Sequence, residues 1–240
     1  MRRLVAPALL CLLLPLAGCG NDEETLTVLA AASLTDVFED LAIGFEEEHG
    51  VEVELSFGSS TDLALQAAEG APGDVLATAD PEAMSLAEDT GVVEHVRQFT
   101  ANRLVLATGP GSGVHGVADL ADVPWVRCAD EVPCGRVAVA LLDELGVTTQ
   151  PVSLEEDVRA VLDKVVTGEA AAGLVYRSDA RAAGDAVRTL ALPGALRHLA
   201  SYRVAVLEQA TESGLAEEWV GLLTSEPGRA ALRRAGFELP

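Results

Sequence analysis

Three short segments of the chain combine a predicted strand end, small or hydroxyl-bearing residues and a predicted helix start. The first turn of a helix presents unpaired backbone N–H groups and a partial positive charge of about half a unit. Several such helix starts together could hold a doubly charged anion without Arg or Lys. Each serine could equally be a structural cap, and Ser33 with Asp36 shows a capping-box-like spacing. The segments contain, in chain order, Ser33 (residues 30–36), Ser60 (57–62) and Val158 (156–158).

The chain is strongly acidic, with a formal net charge of -22 at pH 7. Such a surface repels nucleic acids and anionic lipid headgroups, and it offers no long-range attraction to an anionic ligand. A bound anion would therefore be held locally, by hydroxyl and amide donors that replace its lost water. We expect no nucleic-acid partner.

Residues for catalysis or metal binding do not occur in recognisable arrangements. A hydrolase needs a nucleophile with a base and an orienting partner, but neither Ser33 nor Ser60 lies in a Gly-x-Ser-x-Gly segment. The four histidines are scattered, and none shows metal-ligand spacing with a cysteine. The sequence therefore predicts that the chain is not an enzyme and has no catalytic residues, no cofactor and no resident metal.

The first eighteen residues have the layout of an export signal. Two arginines precede an apolar run over residues 4–16, which is shorter than the about 20 residues of a membrane-spanning helix. Residues 16–19 read Leu-Ala-Gly-Cys and resemble a bacterial lipobox. The resemblance implies a cleaved signal peptide, lipid attachment to the Cys19 sulfur, and a polar tether over residues 19–24. An ordinary secreted protein cleaved at about the same place is the alternative.

Two of the four cysteines lie beyond this N-terminal segment, at Cys128 and Cys134. In an exported protein, an isolated pair six positions apart indicates a disulfide that closes a small loop. Such a loop contributes about 2 kcal/mol by the chain-entropy account. Pro133 and Gly135 are expected to shape the loop. A pair of buried free thiols is the alternative.

From residue 25 onward, short β-rich runs alternate with helical patterns, which favours an α/β architecture with largely parallel strands. Apolar residues from Leu34 to Phe45 recur at helical spacing, and Gly50 follows as a stop signal. The predicted strands are 26–31, 51–57, 74–78, 103–108, 126–129, 147–152, 172–176, 187–190 and 202–207. The predicted helices are 34–45, 63–69, one from Pro81, 136–145, 154–167, 212–223 and 227–234. The 154–167 helix is predicted to bury Leu154, Val158, Val161, Leu162 and Val165. Predicted caps or solvated charges are Asp62, Asp80, Asp157 and Asp179.

Seven segments of the chain resemble, in order, those of the molybdate-binding proteins of ABC transporters. That family has the type II periplasmic-binding-protein fold. One such segment is a weak signal, but seven in the correct order are specific, and they cover nearly all of residues 25–240. The segments are 30–35 (AAASLT), 57–60 (FGSS), 70–75 with 79–80, 102–106, 131–136, 157–160 and 173–180.

The resemblance implies an α/β protein of two lobes with a ligand cleft between them. The first lobe is predicted to comprise residues 25–102 and 205–240, and the second lobe residues 103–204. The implied function is that of an extracytoplasmic lipoprotein, anchored to the cell membrane, that captures molybdate or tungstate. It would deliver the ion to the membrane permease of an ABC transporter. We expect a monomer, because each lobe must move freely.

The resemblance also implies which groups contact the ligand. Ser33 and Ser60 would donate hydroxyl and backbone N–H bonds from the first lobe. Cys134 and Val158 would donate backbone N–H groups from the second lobe, and Tyr176 would donate its phenolic O–H across the cleft. The family commonly has alanine at the position of Cys134. A contact through the backbone tolerates this change, and a disulfide could hold that amide in place.

A cage made only of donors predicts which anions are accepted. A protonated phosphate would set a donor against donors and lose a hydrogen bond, whereas molybdate, tungstate and sulfate carry no proton at neutral pH. A protein of the same fold that binds sulfate or a metal ion is the alternative. A metal site would favour paired tyrosines or carboxylate and His ligands, and the chain has only Tyr176 and Tyr202. A purely structural surface lipoprotein is a third possibility.

Overall fold

The computed structural model describes residues 24–239, so the predicted signal peptide and Cys19 lie outside the described residues. The described part contains nine β-strands, eight α-helices and four short 3₁₀ helices. None of these helices is long and apolar enough to cross a membrane. The strands are β1 (Thr25–Ala31), β2 (Glu52–Gly58), β3 (Val75–Thr78), β4 (Arg97–Thr108), β5 (Trp125–Cys128), β6 (Ser153–Glu155), β7 (Ala172–Tyr176), β8 (Arg188–Ala191) and β9 (Leu199–Val206). The α-helices are α1 (Thr35–His49), α2 (Ser60–Ala68), α3 (Pro81–Glu88), α4 (Pro133–Glu144), α5 (Val158–Val166), α6 (Arg177–Ala183), α7 (Ser213–Thr224) and α8 (Glu226–Ala235).

The strands form one sheet in the order β2-β1-β3-β9-β4-β7-β5-β6, with β8 also paired to β4. Pairing is parallel where β1 contacts β2 and β3, and where β5 contacts β6 and β7. The pairs that involve β9 or β4 are antiparallel. The prediction of a largely parallel sheet is therefore right for the two outer groups of strands and wrong for the middle. The chain crosses between the groups on β4 and returns on β9, and these two strands run in opposite directions.

The long strand β4 joins the two halves of the sheet. Its first part, from Arg97 to Arg103, pairs with β9, and its second part, from Leu104 to Thr108, pairs with β7 and β8. The sequence predicted only the second part, because buried polar residues such as Thr100 interrupt the apolar pattern of the first. We call residues 25–102 and 205–239 the first lobe and residues 103–204 the second lobe; these boundaries stay a prediction.

Helices cover both faces of the sheet in the first lobe. Leu29 of β1 and Leu76 of β3 pack with residues of α2 and α3 on one face. Val28 and Val75, their neighbours in sequence, pack on the other face with α1 and α7. This alternation follows from the two-residue repeat of a strand.

Helix α1 shows how local sequence sets an element. Its apolar positions include Phe38 and Phe45, which are buried and meet Trp219 of α7 edge-on, at ring-centroid distances of 5.4 and 5.3 Å. Gly50 ends the helix with φ +70°, a left-handed conformation that favours glycine. Both the helix and its stop signal are confirmed.

Two predicted elements of the second lobe are wrong. Residues 147–152 form no strand, and helix α5 begins at Val158 rather than at residue 154. The intervening Ser153–Glu155 forms the short edge strand β6, which pairs with β5. Leu154 is consequently 50% exposed, whereas the other four residues of the predicted face are buried. The helix was predicted too long because the apolar spacing continues on the N-terminal side of the true helix start. The edge strand was missed because it depends on backbone pairing, which the spacing of apolar residues does not reveal.

Candidate ligand-binding cleft

The five residues predicted to bind the ligand line one cavity between the two lobes. The centre of a water-sized sphere can occupy about 20 Å³ of this cavity. A single water molecule needs about 10–15 Å³ on the same measure. The cavity therefore has room for one small molecule or ion. The first lobe contributes residues 31–33, residues 58–60 and Ala79, and the second contributes residues 132–134, residues 156–158 and Tyr176.

Ser33 lies in a buried 3₁₀ helix, Ala32–Leu34, between β1 and α1. The predicted capping role is wrong, because Leu34 occupies the cap position of α1 and no described side chain caps this helix. Instead, Ser33 Oγ lies 2.6 Å from Tyr202 Oη, and the two hydroxyls share one hydrogen bond. Burial raises the pKa of Tyr202 above its ordinary range and keeps the phenol protonated. When Tyr202 donates to Ser33, the Ser33 proton is available to a ligand.

Two consecutive serines stand at the start of α2. Ser60 Oγ accepts a hydrogen bond of 3.0 Å from the Ala79 N–H, which leaves the Ser60 O–H free to donate elsewhere. Ser59 occupies the cap position, yet its side chain makes no capping bond. Its Oγ is buried without a partner in the described part of the chain, and Ser59 lines the same cavity. Sequence reasoning missed Ser59, for which the tandem of serines was the available signal.

Two helix N-termini of the second lobe bring backbone amides to the cavity. Cys134 is the second residue of α4, after Pro133, and Val158 is the first residue of α5. N–H groups at these positions have no acceptor within their own helix. The predicted cap Asp157 is confirmed, and its Oδ1 accepts from the N–H groups of Arg159 and the residue after it. The Cys134 and Val158 amides therefore remain available for a ligand.

A disulfide and a glycine shape the loop that presents Cys134. Cys128, the last residue of β5, is bonded to Cys134, with 5.7 Å between their Cα atoms, which confirms the predicted disulfide. At Gly135, an added Cβ atom would lie 1.6 Å from the carbonyl oxygen of Ala129. A larger residue would therefore have to move the backbone, and the close approach keeps the Cys134 amide in its place.

Tyr176 ends β7 and reaches the cavity from the second lobe. Its side chain is buried, and its hydroxyl has no hydrogen-bond partner among residues 24–239. Burial raises the pKa of Tyr176 well above its ordinary value, and Tyr202 and Asp80 raise it further. The phenol is therefore a neutral donor at neutral pH. An unpartnered buried hydroxyl costs about 1–3 kcal/mol, so a ligand that accepts its proton would remove a penalty.

The cavity offers donors without positive side chains. Its lining includes no Lys, Arg or His from the described residues. Of the two acidic residues at its border, Glu156 is exposed and the Asp157 carboxylate caps its own helix. Ser59 and Ser60 stand at the N-terminus of α2, and the Cys134 and Val158 amides stand at those of α4 and α5. The partial positive charge of these three helix ends favours an anion. Among residues 24–239, no group of three or more His, Cys, Asp or Glu could hold a metal ion.

A sequence profile of a known family matches almost the whole described chain. The family is described as "Bacterial extracellular solute-binding protein", and the match spans residues 26–238. The chain belongs to this family. The solute-binding protein is also 35% identical to the molybdate-binding protein ModA of Mycobacterium bovis over 230 residues, covering 93% of this chain and 88% of the relative. The resemblance to molybdate-binding proteins and the prediction that the chain is not an enzyme are thereby confirmed.

Solved structures share the fold of this solute-binding protein. The periplasmic molybdate-binding protein of Azotobacter vinelandii superposes with a TM-score of 0.81 at 21% identity, covering 90% of this chain and 99% of that one. The sulfate-binding protein SubI of Mycobacterium tuberculosis superposes with a TM-score of 0.77 at 16% identity, covering 90% of this chain and 86% of that one. The predicted two-lobed periplasmic-binding-protein fold is confirmed. Because these two proteins are named for different anions, the fold alone does not choose the ligand.

Behind Tyr176, the solute-binding protein has a buried carboxylate that the sequence did not reveal. Asp179 is fully buried, so the interpretation as a solvated charge is wrong for this residue. Its Oδ2 accepts a 3.2 Å hydrogen bond from the Tyr176 N–H, as expected of a cap. Burial raises the pKa of Asp179 to about 7, although Arg159, whose Nε lies 3.0 Å from Oδ1, lowers it. The other aspartates match the prediction: Asp80 and Asp157 are caps, and Asp62 is exposed.

Proposed function

We propose that this protein binds molybdate or tungstate as an unprotonated dianion in the cleft and delivers it to the permease of an ABC transporter. The observation that carries the proposal is the cavity itself, in which two buried hydroxyls, Tyr176 Oη and Ser59 Oγ, have no partner among the described residues. An unprotonated oxyanion has only hydrogen-bond acceptors, and it could accept from both hydroxyls at once.

The proposed ligand contacts come from both lobes. Ser33 and Ser60 donate hydroxyls from the first lobe, since the oxygen of each is already engaged by a neighbour from another segment. Ser59 donates its hydroxyl from the same lobe, because that hydroxyl has no partner among residues 24–239. Cys134 and Val158 donate backbone amides from the second lobe, and Tyr176 donates its phenol. Charge-assisted hydrogen bonds of this kind are about twice as strong as neutral ones. They can hold a dianion while the protein surface as a whole is acidic.

Selectivity follows from the proton count of the ligand. A phosphate that carries a proton would turn one donor toward a cage of donors, and a buried hydrogen-bonding group would lose its partner. Molybdate, tungstate and sulfate have no such proton at neutral pH. The match to molybdate-binding relatives favours molybdate, and the sulfate-binding neighbour of the same fold makes sulfate the competitor to test. Tungstate stays in the proposal because it is so similar to molybdate that the sequence does not separate them.

Calorimetric titration of the detergent-solubilised, anion-stripped full chain tests the ligand. Molybdate, tungstate, sulfate and phosphate are titrated separately. One-to-one binding of molybdate and tungstate, much tighter than that of sulfate or phosphate, is expected. Tighter sulfate binding would transfer the function to sulfate transport, and a folded protein that binds none of the four would overturn the proposal.

We further propose a lipid anchor at the N-terminus of the protein. After signal removal, Cys19 carries a diacylglyceryl group that holds the protein at the outer side of the cell membrane. The anchored protein is a monomer, because each lobe must move freely. Cys19→Ser should abolish incorporation of a labelled fatty acid and release the protein into the medium. Cys11→Ser, inside the predicted signal peptide, is the matched control and should leave labelling unchanged. Labelling of the Cys19→Ser variant would exclude this anchor.

A further inference from the structure

Each second-lobe helix that brings an amide to the cavity also carries an arginine just beyond that amide. Arg136 lies two residues after Cys134 on α4, and Arg159 lies one residue after Val158 on α5. Neither guanidinium borders the cavity. Both instead reach across the cleft to carboxylates of the first lobe.

Arg136 is held by the first lobe and by its own loop. Its Nε lies 2.7 Å from Asp80 Oδ2 and 3.3 Å from Glu82 Oε2, at the start of α3. Its Nη1 donates to the carbonyl oxygen of Glu131 in the second lobe. The same carbonyl accepts a 3.0 Å hydrogen bond from Thr61 Oγ1 of α2, which is a further contact between the lobes.

Arg159 joins one carboxylate from each lobe. Its Nη2 contacts Asp36 Oδ2 in the first turn of α1. Its Nε lies 3.0 Å from Oδ1 of Asp179 as an ion pair, although the alignment is not that of a hydrogen bond. Asp179 in turn accepts from the backbone N–H of Tyr176. Arg159 therefore connects the first lobe to the carboxylate behind a proposed ligand-binding tyrosine.

The first-lobe partners stand beside the proposed ligand residues of that lobe. Asp36 is three residues after Ser33, and Asp80 follows Ala79, whose N–H is bonded to Ser60 Oγ. The Arg159–Asp36 pair thus joins the segments of Val158 and Ser33, and the Arg136–Asp80 pair joins the segment of Cys134 to the one that is hydrogen-bonded to Ser60. The two pairs exist only while the lobes are in contact, because opening the cleft would separate Arg136 from Asp80 and Arg159 from Asp36.

We propose that Arg136 and Arg159 are clasps that hold the cleft closed and thereby slow the release of the bound anion. They act as positioning residues, since they do not touch the ligand. The inference rests on the proposed function for the identity of the ligand, but the clasp between the lobes does not depend on it. Partly exposed ion pairs stabilise only modestly, so the clasps favour closure without making it irreversible.

The test removes one first-lobe carboxylate from each arginine and leaves both arginines in place. Asp36→Asn removes one partner of Arg159. Asp80→Asn removes the nearer of the two carboxylate charges that face Arg136 and leaves Glu82, while the amide oxygen can still accept from the Ala83 N–H as the cap of α3. Arg233→Gln is the control for the loss of an ion pair that does not join the lobes, because Arg233 pairs with Glu226 within α8 of the first lobe.

Release of radiolabelled molybdate from the full chain in detergent is followed after a chase with unlabelled molybdate. Asp36→Asn and Asp80→Asn should each speed release about two- to fivefold, and the double variant more than either. Arg233→Gln should leave release unchanged. Simple loss of negative charge near the site would act in the opposite direction, by holding the anion more tightly. Unchanged or slower release of molybdate in both Asn variants would show that the two arginines do not hold the cleft closed.

Hydrogen exchange of the anion-free protein separates failure of the clasps from failure of the proposed ligand. Loss of a clasp should speed exchange in residues 131–136 and 157–160, where the cavity amides lie, and Arg233→Gln should not. If the wild type binds no molybdate but the Asn variants still show this pattern, the clasps are supported and the proposed function is rejected. Identical exchange in the wild type and all variants would reject the proposed role of Arg136 and Arg159, whatever the ligand is.

Discussion

Tyr202 Oη lies 2.6 Å from Ser33 Oγ, although 169 positions separate the two residues in the chain. Tyr202 belongs to β9, on which the chain returns to the first lobe, and Ser33 follows β1. The contact leaves one hydroxyl proton to be directed elsewhere. With Tyr202 as the donor, the Ser33 hydroxyl is oriented for a ligand before the ligand arrives.

Tyr202→Phe tests this orientation. We expect it to weaken molybdate binding about two- to tenfold, because one neutral hydrogen bond contributes about 0.5–1.5 kcal/mol. Isothermal titration calorimetry gives the affinity. Ser201→Ala, the neighbouring and partly exposed position on β9, is the control and should bind as the wild type does. Wild-type affinity in the Tyr202→Phe protein would show that Ser33 needs no such partner.

Tyr176→Phe should weaken ligand binding without destabilising the ligand-free protein. Binding should fall roughly ten- to hundredfold, because a hydrogen bond to a charged group is worth about 1.5–3 kcal/mol. The free energy of unfolding without ligand should stay equal or rise, since Tyr176 Oη has no partner among residues 24–239. Calorimetry and urea unfolding measure the two quantities. A clear loss of stability without ligand would indicate a structural role for the hydroxyl.

Gly135→Ala should damage the fold of the loop and the cleft together. The new Cβ would meet the Ala129 carbonyl at 1.6 Å, so the backbone beside Cys134 must move. We expect a loss of about 1–3 kcal/mol in unfolding free energy and weaker molybdate binding. Gly221→Ala is the control: nothing lies within 4 Å of its Cβ in the middle of α7, and the change should stabilise by about 0.5–1 kcal/mol. A Gly135→Ala protein with wild-type stability would contradict the observed packing.

Asp179 should make stability depend on pH. Folding raises its pKa from 3.8 to about 7, so between these values the folded state binds more protons than the unfolded state. The contribution of this group is full below about pH 4 and is lost as the pH rises through about 7. Urea unfolding measures the free energy of unfolding at pH 4.5 and at pH 7.5. Between these two values it should fall less for Asp179→Asn than for the wild type. The exposed control Asp185→Asn should keep the wild-type difference, and an unaltered difference in Asp179→Asn would refute the buried titration.

Elements set by local pattern were predictable from the sequence. The apolar spacing from Leu34 to Phe45 places α1 against the core, and Gly50 ends it. Asp80 with Pro81 marks the start of α3, and the Cys128–Cys134 spacing indicates the disulfide. These features depend on residues a few positions apart, and for that reason they appear in the sequence itself.

Elements that depend on distant partners were less predictable. Residues 99–102 in the first part of β4 are buried although they include Thr100 and Asn102, because β9 and other segments supply their hydrogen bonds. The 147–152 strand was wrong because an apolar run alone does not show which neighbour will pair with it. Leu154 kept the helical spacing, yet the pairing of β6 with β5 exposes it.

The candidate site divides in the same way. Local patterns in the sequence predicted helix starts at Ser33, Ser60 and Val158 and a strand end at Tyr176, and the resemblance to molybdate-binding proteins added Cys134 to the same site. Only the tertiary structure decided that Ser33 pairs with Tyr202, that the Ser59 and Tyr176 hydroxyls lack partners in the described chain, and that Asp179 is buried beside Arg159. Hydrogen bonding and burial depend on which atoms packing brings together, and packing joins segments that no local pattern connects.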